Sequence, residues 1–89
     1  MLRSRKKRIV FQLHAPGAKA VFLAGTFNEW DPASQPMTRN GNGEWKTAMS
    51  LKPGTYEYRF VVDGEWRDDP ACEARHLNEF GTYNSLMYV

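Results

Sequence analysis

Two of the three tryptophans in this chain stand where a ligand could reach them. Trp30 ends the segment GTFNEW and Trp66 ends VVDGEW. Each follows an apolar, strand-like run and then a turn signal, Gly25 to Asn28 in one case and Asp63-Gly64 in the other. A core tryptophan normally lies inside such a run, so these two are expected to be displayed. Flat aromatic faces on a rigid β scaffold suit a ligand with an apolar face and a polar edge. Sugar rings are such ligands: their axial C–H groups pack on the π-face while equatorial hydroxyls find partners at the rim. Glucan binding is the reading these positions favour. The alternative is that each indole simply covers one end of the fold.

Three further residue groups carry matching polar chemistry. Arg59 lies mid-strand, and its fork of N–H groups suits sugar hydroxyls; the plainer reading is a solvated residue paired with Glu57 or Glu65. Thr82 and Asn84, beside Gly81, offer the hydroxyl and amide that vicinal diols require, or else ordinary turn chemistry. Phe80 is either a core residue or a ring beside the ligand.

Catalytic chemistry finds little support. Glycoside cleavage usually needs two carboxyl groups about 5–9.5 Å apart, one with a raised pKa. Glu65, Asp68 and Asp69 qualify only by type, and a short edge strand should keep them solvated. Cys72 has His76 four residues on, which establishes no activated thiol. His14 and His76 lack ligand-like neighbours, so neither a metal nor another cofactor is expected. No phosphate loop, dinucleotide fingerprint or nucleophile elbow occurs. The chain reads as a binding module, not an enzyme.

The elements that must position these groups are β throughout. Ile9, Phe11 and Leu13 alternate with Val10 and Gln12, predicting a half-buried strand over 9–13. A second strand over 19–26 is apolar on both faces, which predicts a central position. Asn42-Gly43 predicts a hairpin turn, after which Trp45, Thr47, Met49 and Leu51 share a core face. Tyr56, Tyr58, Phe60 and Val62 face one way and Glu57, Arg59, Val61 and Asp63 the other. Asp63-Gly64 predicts a tight hairpin into a short strand over 65–68; 69–82 reads as a long connection before a last strand. Short strands separated by turn signals predict a β-sandwich of about seven strands.

Size and charge bound the rest. At 89 residues there is room for one domain. Residues 1–8 hold five of the twelve basic side chains, Arg3, Arg5, Lys6, Lys7 and Arg8. The remaining seven basic residues face ten acidic ones, so a basic tail precedes an acidic body over 9–89. Such a tail could anchor on nucleic acid or anionic lipid, but no basic stripe continues it, and a solubilising arm or linker is the expectation. One cysteine excludes an internal disulfide and fits a reducing cytoplasm. Gln12, His14, Pro16 and Gly17 break the apolar run after the basic start, so neither a signal peptide nor a membrane span is expected.

The order VFLAGTFNEWDP, GEWKTAMSLKPGTYEYRFVVDGEWRDDP, NEFGTYNSLMYV resembles carbohydrate-binding module family 48 over about residues 9–89. That family includes the glycogen-binding domain of the β subunit of AMP-activated protein kinase and the N-terminal domain of isoamylases and branching enzymes. The resemblance implies an all-β, immunoglobulin-like (early-set) sandwich that binds α-1,4-linked glucan such as glycogen, starch, maltooligosaccharide or cyclodextrin. It implies that Trp30 and Trp66 stack on glucose rings and that Arg59 takes the place of a hydroxyl-binding lysine. Thr82 and Asn84 match its polar contacts, and Phe80 stands where the kinase type has a leucine that projects into the glucan coil. Lysine to arginine changes the geometry of the donor, and leucine to phenylalanine puts a larger ring beside the indoles. The competing expectation is a protein-interaction sandwich that has lost sugar binding and docks in trans on a glucan-metabolising enzyme or a kinase.

Overall fold

A computed structural model of the chain describes residues 5–89. Arg3 of the basic run lies outside the described residues. Eight strands form two antiparallel sheets: β1 (Lys7–His14), β2 (Val21–Gly25), β3 (Thr38–Arg39), β4 (Glu44–Leu51), β5 (Thr55–Val62), β6 (Glu65–Arg67), β7 (Arg75–Leu77) and β8 (Tyr83–Tyr88). The smaller sheet runs β1-β4-β3; the larger runs β2-β5-β8-β7, with β6 also paired to β5. A single 3-10 turn at Thr26–Asn28 is the helical element among the described residues. The fold is the expected all-β sandwich.

Parity explains the core. On β1, Phe11 and Leu13 point inward; the register Phe11↔Thr47 and Leu13↔Trp45 puts Trp45 on the same face. On the facing sheet Leu23↔Phe60 and Val21↔Val62 present the other half. These residues form one buried cluster with Ala18, Met37, Leu51 and Tyr58. Phe11 and Tyr58 meet edge-on across it, with ring centroids 5.0 Å apart. Trp45 is buried as its spacing predicts, and its indole N–H donates to the Ala15 carbonyl at 2.9 Å.

Four expectations need correction. β2 is not central: it lies at the margin of the larger sheet, and among the described residues its second edge carries the Phe22↔Pro36 bridge and neighbouring backbone bonds. On its outer face Ala24 is buried and Phe22 partly so, and an apolar run reports such burial without showing how many strands flank it. The long connection contains β7, whose exposed Arg-His-Leu carries no alternation to reveal it. Arg59 pairs with neither Glu57 nor Glu65. Asp69 is buried, not solvated.

Gly25 closes β2 against β5. A Cβ there would overlap the Glu57 carbonyl oxygen and stand 2.7 Å from the Phe27 ring. Gly25→Ala should cost about 1–3 kcal/mol, seen as a Tm drop of roughly 4–8 °C per kcal/mol. A thermal melt matching the parent would show that the strand end yields freely.

Candidate functional site

Simple alternation places three of the candidates, Arg59, Trp66 and Asn84, on the outer face of the larger sheet. Directly opposed residues of an antiparallel pair point to the same side, so Val61↔Trp66, Glu57↔Leu86 and His76↔Asn84 share that face. Arg59 lies two positions from both Glu57 and Val61 and joins them. Along this edge of β5, β8 pairs with Thr55–Tyr58 and β6 with Phe60–Val62. Arg59 falls in the gap where one partner strand gives way to the other.

The two tryptophans meet. Their ring centroids are 6.4 Å apart and their planes are inclined by 49°. Trp66 is carried by β6 after a two-residue turn in which Asp63 (φ 50°) and Gly64 (φ 84°) both adopt left-handed geometry. That is the hairpin the Asp-Gly pair predicts. Asp63 Oδ1 accepts the Lys19 and Ala20 N–H groups at 2.8 and 2.9 Å, tying the turn to the loop before β2. Those bonds, Ala20's first, hold the Asp63 carboxyl below its ordinary range.

Trp30 is half-buried and holds its position at a conformational cost. Glu29 and Trp30 both have positive φ, 57° and 60°. For a bulky residue this is strained, on the order of 1–2 kcal/mol, and persists only where surrounding bonds enforce it. Asn28 is the enforcer. Its Oδ1 accepts the Gly25 N–H at 3.0 Å, and its Nδ2 donates to Leu23 O, Asp31 O and Ser34 Oγ. The Trp30 N–H returns to Gly25 O at 2.9 Å.

A second asparagine does the same for the polar side. Asn78 Oδ1 accepts the Phe80 and Thr82 backbone N–H groups at 3.0 and 3.1 Å. Its Nδ2 donates to Thr82 Oγ1 and Asn84 Oδ1 at 2.7 and 3.0 Å. Thr82 Oγ1 also accepts an Arg59 N–H at 3.2 Å, while Asn84 Nδ2 donates to Glu57 Oε1 at 3.1 Å. His76 Nδ1 lies 2.9 Å from the same Glu57 oxygen. Burial alone would raise the Glu57 carboxyl, but the bonds from Asn84 and His76 outweigh it and hold the group below the usual carboxylate range. Arg59, Thr82 and Asn84 therefore belong to one hydrogen-bonded chain.

Phe80 stands apart. It caps the 78–82 loop, next to Gly81 at φ 80°, and is 82% exposed. The Trp30–Trp66 pair forms without it. Of the displayed indoles, Trp66 is 42% exposed and Trp30 half-buried.

Sequence reasoning missed Asn28, Asn78 and Asp68. A signal was present for the first two: Asn28-Glu29-Trp30 and Asn78-Glu79-Phe80 are the same Asn-Glu-aromatic step, each ending in a displayed ring. Asparagine is suited to this because its side chain bonds backbone a few residues on. Two concave sites elsewhere, one around Pro16, Arg39 and Asn40 and one around His14, Val62 and Arg67, contain none of the six predicted residues. Stacking on sugar needs a platform, not an enclosed cavity. No group of His, Cys, Asp or Glu among the described residues could hold a metal ion. No helix there is long and apolar enough to cross a membrane.

Residues 8–89 match the family described as the glycogen recognition site of AMP-activated protein kinase. The chain is similar to 5'-AMP-activated protein kinase subunit beta-1 of Sus scrofa, 37% identical over 73 residues that make up 82% of this chain and 57% of that relative. It is equally similar to subunit beta-1 of Homo sapiens, where the 73 residues are 26% of the relative. Subunit beta-2 of Mus musculus is 36% identical over 73 residues, again 26% of its length. The chain thus spans less than two thirds of the length of these relatives.

Proposed function

The chain belongs to the family of the glycogen recognition site of AMP-activated protein kinase, a non-catalytic carbohydrate-binding module, and from that premise we propose that it binds α-1,4-linked glucan on the outer face of its larger sheet. Trp30 and Trp66 supply the stacking surface. Arg59, Thr82 and Asn84 form the polar rim that orients the hydroxyls, and Phe80 lies beside the ligand.

The observation that carries this reading is the indole pair, 6.4 Å apart and inclined by 49°. Two inclined rings fit successive glucose units of a curved α-linked chain. The flat ribbon of a β-linked glucan would meet only one of them face-on. The rim is already ordered by Asn78 and Glu57, so little side-chain entropy remains to be lost on binding. With few anchors on an open surface, affinity for short oligosaccharides should be roughly micromolar to millimolar.

The test is a titration with maltoheptaose and β-cyclodextrin, with cellohexaose as control, followed by tryptophan fluorescence. Trp45 is buried and serves as a constant background. A saturable change with the α-linked ligands alone is expected. No response to any of them would overturn the reading.

A further inference from the structure

Arg59 is held far more firmly than a solvated arginine would be. Its side chain is only 13% exposed, and one terminal nitrogen donates to Asp68 Oδ1 at 2.9 Å. The other terminal nitrogen donates to Thr82 Oγ1 at 3.2 Å, and Nε is buried without a partner among the described residues. A guanidinium has five N–H donors, so one on each terminal nitrogen remains uncommitted while the plane is pinned between two strand ends. Asp68 follows β6, and the Phe60↔Arg67 register puts it directly opposite Arg59. Alternation then places Asp68 on the same face as Trp66 and turns Asp69 inward. Asp69 is indeed buried, bonded to the Tyr58 hydroxyl.

The Asp68 side chain is 35% exposed, far more open than the arginine it holds. One of its oxygens is engaged by Arg59, and Oδ2 has no protein partner among the described residues. A free acceptor beside a fixed donor fork is the complement of a vicinal diol, in which one hydroxyl donates and its neighbour accepts. We propose that Asp68 is a specificity-determining residue of the glucan site: with Oδ2 it accepts a secondary hydroxyl of the sugar, and with Oδ1 it holds Arg59 as the matching donor. This inference rests on the glucan-binding reading above. It adds an acidic contact, two residues after Trp66, that the six predicted positions do not contain.

The experiment compares the parent chain, Asp68→Asn and Asp68→Ala by calorimetric titration with β-cyclodextrin and with β-cyclodextrin whose secondary hydroxyls are methylated. The parent should bind the methylated ring at least tenfold more weakly. Asp68→Asn exchanges an acceptor oxygen for a donor at nearly constant shape; it should lose about tenfold in affinity for the free ring, and Asp68→Ala more. Both variants should also lose most of the discrimination between the two rings, which a merely structural role would leave in place. Variants that bind both rings as the parent does, or that weaken for both rings alike, would overturn the assignment of Asp68 while leaving glucan binding intact. A parent chain that binds neither ring would instead remove the functional reading itself.

Discussion

Replacing Trp30 and Trp66 together with alanine is expected to weaken glucan binding by about three orders of magnitude while the domain stays folded. Binding surfaces of this kind concentrate their energy in a few aromatic anchors, and truncation of such an anchor typically costs about 2 kcal/mol or more. Each single variant should therefore bind roughly 30-fold more weakly, since 1.4 kcal/mol is about tenfold. Two such losses multiply to about 900-fold, so from a micromolar-to-millimolar start the double variant should bind at roughly millimolar or weaker. The fold should survive because neither indole belongs to the buried cluster, whose tryptophan is Trp45. The near-ultraviolet dichroism of Trp45 and the melting temperature report on this directly. A double variant that still binds maltoheptaose with parental affinity would disprove the platform.

The backbone at Trp30 sharpens this expectation. Trp30 sits at φ 60°, where only glycine is unstrained. Trp30→Gly should therefore be at least as stable as Trp30→Ala, although both lose the ring. A binding residue held in strain by its neighbours is the pattern expected of a displayed contact. If Trp30→Gly were clearly less stable than Trp30→Ala, the ring would be serving packing rather than display.

How much of this was legible in the residues depended on the distance over which each feature acts. Tyr58, Phe60 and Val62 alternate along one strand, so period two revealed their face without knowledge of any partner. The Asp63-Gly64 turn is equally local, and both its residues adopt the left-handed geometry that their types favour. The turn before each of Trp30 and Trp66 kept both out of the buried cluster, with Trp66 exposed and Trp30 half-buried. Their meeting at 6.4 Å was not legible, because it joins segments 36 positions apart through the β2–β5–β6 pairing. The carboxylate that pairs with Arg59 was not legible for the same reason. That partner depends on the register of β6 and on the gap left by β8, and charge alone offered Glu57 and Glu65 as readily as Asp68. Asp69 failed most instructively: adjacent aspartates look like one acidic patch, yet alternation sends one outward beside Arg59 and the other into the core.

That inward carboxyl is expected to carry a large share of the stability. Asp69 is 8% exposed, its Oδ2 accepts the Tyr58 hydroxyl at 2.5 Å and its Oδ1 accepts the Ala71 N–H at 2.9 Å. Asp69→Ala leaves both donors without their acceptor, at a cost of about 3 kcal/mol. A domain of this size is stable by roughly 5–10 kcal/mol, so the loss is a large fraction of the whole. Burial, then the bond to Asp69, pushes the Tyr58 hydroxyl well above its ordinary pKa. The folded state therefore keeps this proton where the unfolded chain releases it, and stability should fall as pH rises past about 10, by up to ~1.4 kcal/mol per unit. Tyr58→Phe should remove that component of the alkaline loss. Denaturant unfolding between neutral and alkaline pH, run on both chains, measures the difference. Identical pH curves would mean that the buried hydroxyl is not the titrating group. The consequence reaches the surface, because Asp69 fixes the backbone on which Asp68 faces Arg59. Asp69→Ala should therefore weaken glucan binding in the fraction of molecules that remains folded, although Asp69 itself never meets the sugar.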